Sequence, residues 1–165
     1  MIRIPKSWLV YSLERSHLLF GMTIGDVTQA EAQRLTDGPE GWSILEIVCH
    51  VRDYQEIWLE RVQRMLQEDH PTLVAYDAAA REALIIQNQY AQQDLKLILE
   101  DYVQTRHKFI AIVAQLEDSQ LLRTGLNPLS GDIDLRVTIF HTIMHDIDHA
   151  EQIGRVRGLQ IPKLD

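Results

Sequence analysis

The chain has 165 residues, enough for one domain with a sizeable core, and its 45% apolar and 24% charged content is that of a globular protein, not a disordered or membrane-embedded one. Lys and Arg total 16 against 24 Asp and Glu, so the net charge is −8; there is no excess of cations to replace the counterions of a phosphate backbone, which argues against nucleic acid as a partner. The single cysteine, Cys49, rules out an internal disulfide, no apolar run is long enough to span a membrane, and Met1-Ile-Arg-Ile-Pro-Lys6 does not open a signal peptide, so the cytoplasm is the expected compartment.

A first helix is predicted from about Ser7 to about Met22, with Leu9, Leu13, Leu18 and Phe20 as core candidates. Thr28-Gln-Ala-Glu31 reads as a capping box, Thr28 accepting from the third backbone N–H while Glu31 reaches back. It opens a short helical piece that Gly38, Pro39 and Gly41 end. A second capping box, Ser43-Ile-Leu-Glu46, starts the longest amphipathic segment, about Ser43 to Gln67, in which Ile44, Ile47, Val48, Val51, Ile57, Trp58, Val62 and Leu66 recur at helical spacing. His70, before Pro71, reads as a solvated loop histidine. From Pro71 to about Ala91 the pattern is weak, although Ala78 to Ala83 favours helix by propensity. These roughly twenty residues form a crossover too long for a tight hairpin, which permits the flanking helices to run parallel.

The third long helix runs from about Gln92 to Leu116, with Leu95, Leu97, Leu99, Val103, Phe109, Ile112, Val113 and Leu116 as its apolar positions. Arg106 and Lys108 carry charge on both sides of His107, so His107 reads as a surface residue. Leu121 to Gly131 reads as a loop, and Asp132 or Asp134 caps a fourth long helix reaching about Arg157, with Gly158 at C′ and Pro162 beyond. No strand-like alternation lasts more than a few residues. The expectation is one all-α domain over residues 1–165, a four-helix bundle with a long crossover between its second and third helices.

His141, His145 and His149 stand four apart on the last helix. A helix turns about 100° per residue, so such a step nearly restores the face and rises about 6 Å, and a His-x-x-x-His pair can grip one divalent ion at about 2.0–2.1 Å. The full span of three is too long for one ion. One pair binds, and spacing alone does not say which. The further ligand comes from elsewhere, and His50 is the candidate, since it falls beside Ile47, Tyr54, Ile57 and Trp58 and away from Arg52, Asp53, Glu56 and Glu60. Three imidazoles leave coordination positions open, which suits catalysis or ligand capture better than scaffolding. A water there can ionise near pH 7, and a thiol is held as thiolate.

A di-iron carboxylate bundle lacks its Glu-x-x-His pairs here, since Glu46 stands four before His50. His145-Asp-Ile-Asp-His149 only faintly resembles the His-Glu-x-x-His of zinc peptidases, with Asp146 in the place of the base.

Three features together resemble the DinB superfamily of metal-dependent enzymes. They are Gly41-Trp42-Ser43 followed by His50, then Arg123-x-Gly125 leading to Pro128-x-x-Gly131, then His145-Asp-x-x-His149-x-x-Gln152-Ile153. The resemblance covers about Pro39 to Ile153. It implies an up-down-down-up bundle and a site for zinc or nickel on His50, His145 and His149, with His141 lining the pocket or bonded to a ligand. It also implies small-molecule substrates, homodimers and, in some relatives, reactions that use low-molecular-weight thiols. Where some relatives have His-Arg-Gly-Gln, this chain has His149-Ala-Glu-Gln152, which keeps the ligands and departs at any substrate contact.

The function expected is therefore a metal-dependent thiol transferase or hydrolase, with Asp146, Gln152 and Asp53 as acceptors that orient an imidazole N–H. Its rival is a metal-stabilised binding or stress-response bundle without turnover.

Overall fold

The computed structural model describes residues 4–159. The predicted tail position Pro162 and the first residues of the signal-peptide reading, Met1 to Arg3, lie outside the described residues. Six helices follow in order: α1 (Lys6–Ile24), α2 (Gln29–Arg34), α3 (Ile44–Gln67), α4 (Ala78–Gln87), α5 (Leu95–Gln115) and α6 (Leu135–Val156). Each of the last five starts at an oxygen-bearing cap: Thr28, Ser43, Asp77, Asp94 and Asp134 each accept a bond from the third helical backbone N–H. At Thr28 and Ser43 the returning glutamate completes the capping box. At the other end of α6, Gly158 adopts φ 69°, the left-handed region that glycine enters without cost.

The bundle consists of α1, α3, α5 and α6. α1 packs between α5 and α6, and α3 packs between the same two from the opposite side. Side-chain contacts give the directions. On α1 and α6, Ser16 meets Asp146 and Thr23 meets Arg157, so the two run parallel. α3 and α5 also run parallel, since Cys49 lies near Tyr90 and Gln55 meets Tyr102. His50 meets His145 whereas Met65 meets Thr138, so α3 and α6 are antiparallel. The result is the up-down-down-up bundle, made possible by the crossover from Glu68 to Asp94 that carries α4.

Leu18 and Leu97 are not core residues; they are 51% and 59% exposed. The reason is angular: Leu18 stands nine positions from the buried Leu9, half a turn out of phase, and Leu97 only two from the buried Leu95. The segment from Leu121 to Gly131, expected as loop, is not all loop. β1 (Thr124–Asn127) and β2 (Gly131–Asp134) form an antiparallel hairpin, Thr124 opposite Asp134 and Asn127 opposite Gly131. Four residues per strand are too few for alternation to show in a sequence. His107 is exposed as expected, whereas its neighbour Arg106 is fully buried.

Candidate metal centre

His50 comes from α3 and is buried; His145 and His149 come from α6 and are partly buried. One nitrogen from each lies within 4.8 Å of the others. His50 Nε2 and His145 Nε2 stand 2.9 Å apart, and the ring centroids of the three imidazoles are 4.4 to 4.9 Å from one another. Two nitrogens bound tetrahedrally to one ion lie roughly 3.3 Å apart; the His50–His145 pair stands near that spacing, and the His149 nitrogen lies within 4.8 Å of both. His141 does not join them. It is exposed, with its ring 6.5 Å from Trp58, so His145 and His149 form the pair that faces His50.

The outward side of the cluster decides which nitrogens are free. Gln152 donates from its amide nitrogen to Asp37 Oδ2 at 2.8 Å, and a carboxylate only accepts, so this bond fixes the amide's orientation. Its oxygen then lies 2.7 Å from His149 Nδ1. That oxygen accepts, hence Nδ1 carries the proton and Nε2 keeps its lone pair. His50 Nδ1 lies 3.0 Å from the Tyr76 hydroxyl, which accepts if Nε2 is to be free. Metal-binding imidazoles use this arrangement, one nitrogen on the ion and the other donating outward.

Aromatic rings hold the imidazoles in place. Tyr54 stacks on His145 with centroids 3.4 Å apart and 6° between planes, and Trp58 stacks on the other face of Tyr54 at 3.8 Å. Trp42 meets His50 edge-on at 5.0 Å. Burial, then His149 and Arg81, lowers the pKa of His50 to about 3. His145 falls well below the ordinary histidine range, again first by burial and then by its two imidazole neighbours. Burial lowers His149 too, although Gln152 counteracts it. All three rings are neutral at pH 7, the state that coordinates a metal.

Asp146 and Asp53 are bonded elsewhere. Asp146 points behind the cluster, where Arg106 Nη2 and Ser16 Oγ each reach its carboxylate at 2.7 Å. Asp53, expected on the charged face, is buried and accepts from Asn88 at 2.8 Å and Tyr90 at 2.5 Å. Gln152 alone of the three meets an imidazole. The structure adds Tyr76, Tyr54, Trp42 and Asp37, which the sequence reading had not assigned to the site. Tyr54 carried a signal, one turn beyond His50; Tyr76 and Asp37 come from irregular segments and carried none.

A bundle in which one helix presents His-x-x-x-His to a single histidine of its antiparallel neighbour defines a class of helical proteins with an open imidazole triad. The sequence profile of the DinB superfamily matches residues 13–153, and the chain belongs to that superfamily. No curated protein sequence matches it. Among solved structures it is similar to YfiT from Bacillus subtilis, described as a probable metal-dependent hydrolase with an unusual four-helix bundle topology: TM-score 0.78, 20% identity, 97% of this chain and 93% of that one. It is also similar to a mycothiol-dependent maleylpyruvate isomerase, at TM-score 0.77 and 12% identity over 92% of this chain, which spans only 61% of the isomerase. A third relative in fold is the colibactin self-resistance protein ClbS, solved with double-stranded DNA, at TM-score 0.70 and 12% identity over 96% of this chain and all of that one. At these identities the likeness is one of fold.

Proposed function

We propose that this protein is a metal-dependent enzyme acting on a small molecule, with a divalent ion, zinc or nickel, held by His50, His145 and His149. The observation that carries the reading is the convergence of three neutral imidazoles whose outward nitrogens have partners on His50 and His149. Such an ion, when bound, supplies Lewis acidity that makes a water or a low-molecular-weight thiol nucleophilic near neutral pH. The reaction class is hydrolysis or transfer to a thiol. The chain's own contribution is to keep the ligands unprotonated, to fix His149 through Gln152 and Asp37, and to hold His145 against Tyr54. Among the described residues no carboxylate joins the cluster, so proton transfer falls to groups at its open side, where His141 and Asp148 stand. The net charge of −8 supports a partner other than nucleic acid, and the buried free thiol of Cys49 suits a reducing cytoplasm.

The test is metal content by mass spectrometry on protein purified without a nickel column, beside His145→Ala, with thermal unfolding of both in the presence and absence of chelator. About one ion per chain, lost in the variant, and a melting temperature lowered by chelator only in the wild type are expected. Wild type that binds added zinc or nickel no better than His145→Ala would remove the basis of the reading. Perturbation of a cobalt-substituted site by a small thiol then separates an open, reactive position from a closed, purely stabilising one.

A further inference from the structure

A cavity of about 310 Å³ opens beside the imidazole cluster, lined by Tyr54, Phe140, His141, Met144, His145 and Asp148. That volume lies at the small end of the range for ligand sites, roughly 300–1,000 Å³. Phe140 and Met144 are 48% and 38% exposed, two large apolar side chains one turn apart on α6 and both turned to this space. Tyr54 has one face on His145 and the other on Trp58, so a ligand meets only its edge and hydroxyl. Phe140 and Met144 thus give the wall an apolar patch, and the exposed imidazole of His141 and the carboxylate of Asp148 stand beside it. Asp148 is exposed and has no cationic side chain within 4.0 Å among the described residues. By contrast, the other carboxylate of this part of α6, Asp146, is buried against Arg106.

An apolar patch beside an unpaired carboxylate selects by charge. A ligand bearing its own carboxylate brings like charges together as it enters, whereas an ammonium group meets a free acceptor while its hydrocarbon body covers Phe140 and Met144. We propose that this cavity binds a small organic cation, an alkyl or aryl ammonium compound, with its apolar body on Phe140 and Met144 and its charged group at Asp148. That such a compound is the substrate rests on the metal-centre reading; the binding itself does not. His145 belongs to both the cavity and the cluster, so a ligand seated here has one end against the reactive position.

The experiment uses methionine-methyl NMR of the full chain carrying ¹³C-methyl methionine, with the Met144 signal assigned from Met144→Leu. The metal-free protein is titrated with 2-phenylethylammonium, 2-phenylethanol and phenylacetate, which differ only at the polar end, so that no bound cation competes with Asp148 for the charged ligands. The ammonium compound is expected to move the Met144 signal and to bind about fivefold more tightly than the alcohol, the upper range for an exposed charge pair, with the carboxylate weakest. Asp148→Asn should bring ammonium and alcohol together. Equal or tighter binding of the alcohol or the carboxylate, a preference that survives Asp148→Asn, or no movement of the Met144 signal by any of the three would each overturn the proposal. A failure of the metal reading shows separately, as absence of zinc binding, and leaves the metal-free titrations to be read on their own.

Discussion

The orientation of His149 follows from a relay of single-valued choices. Asp37 can only accept, so the Gln152 amide must turn its nitrogen to it; the Gln152 oxygen can only accept, so His149 must donate from Nδ1 and leave Nε2 bare. Gly41 holds the start of the relay. A Cβ there would fall 1.8 Å from the backbone oxygen of Asp37, so only glycine lets this turn close. Because Gln152 is only partly buried, its removal should spare the fold and loosen the ligand. Gln152→Ala is predicted to weaken zinc binding about 10- to 100-fold, the usual effect of losing an outer partner of a metal-bound imidazole, with little change in the melting temperature of the metal-free protein. Competition against a chromophoric chelator measures it, and an unchanged affinity would deny Gln152 that role. The sequence placed Gln152 on the right stripe because 145, 149 and 152 share a helical face. It could not supply Asp37, which is brought to Gln152 by the fold across 115 positions.

At the scale of the helix, α6 carries two opposed polar sides. His145 and His149 face α3, while Asp146, one residue and about 100° further round, faces α1 and α5. There Arg106 is fully buried, donates to Gln55 and reaches Asp146 and Ser16, so one guanidinium ties α5 to the other three bundle helices. Burial pushes the Asp146 carboxyl above the ordinary aspartate range while Arg106 and Ser16 oppose that shift. Removing one partner strands the other charge in a dry core. Asp146→Ala is therefore predicted to cost about 3–5 kcal/mol in urea unfolding, whereas Asp148→Ala, two residues away and exposed, should cost under about 0.5 kcal/mol. A loss below about 1 kcal/mol for Asp146→Ala would mean that water reaches the pair. The elements themselves were legible: oxygen-bearing caps at Thr28 and Ser43, breakers at Gly38 and Pro39, and apolar recurrence located the long helices to within a few residues. Arg106 was not legible, because Arg106-His107-Lys108 carries the composition of a solvated turn, and only the meeting of α1, α3, α5 and α6 makes the first of its two cations internal. The hairpin from Thr124 to Asp134 escaped for a different reason, since strands of four residues leave no period to detect.

For the molecule as a whole, the outer stripe of α1 is exposed among the described residues. Trp8, Tyr11, Leu18 and Met22 recur at spacings of three, seven and four and are 65%, 56%, 51% and 77% exposed. A stripe of this kind amounts to several hundred Å² of apolar surface, near the limit seen on monomers. A second copy pairing like stripes about a two-fold axis would bury it, which is the homodimer that the family resemblance implies. Sedimentation at micromolar concentration should give two chains, and Trp8→Glu combined with Met22→Glu should give one. A wild type that sediments as a single chain would sink this inference.

Acid stability is also a property of the whole chain, and its sign can be worked out. Four imidazoles have lowered pKa values in the folded state: His17 to about 4 by burial, then Arg106 and His107, His50 to about 3, and His145 and His149 by direction. Unfolded histidines titrate near 6.5, so below that pH the unfolded chain binds protons that the folded chain refuses. Stability then rises with pH wherever the unfolded state holds more protons. It is present in full above about pH 6.5 and is lost as pH falls toward 4. Glu56 and Asp146, raised by burial, act in the opposite direction, but two carboxyls do not cancel four imidazoles. In chelator, the free energy of urea unfolding is predicted to fall between pH 7 and pH 5, before ordinary carboxylates titrate, and His17→Gln should make the fall shallower. A profile flat across that window would mean that water solvates these rings in the folded protein, and with it would go the argument that burial keeps His50 and His145 ready to bind an ion.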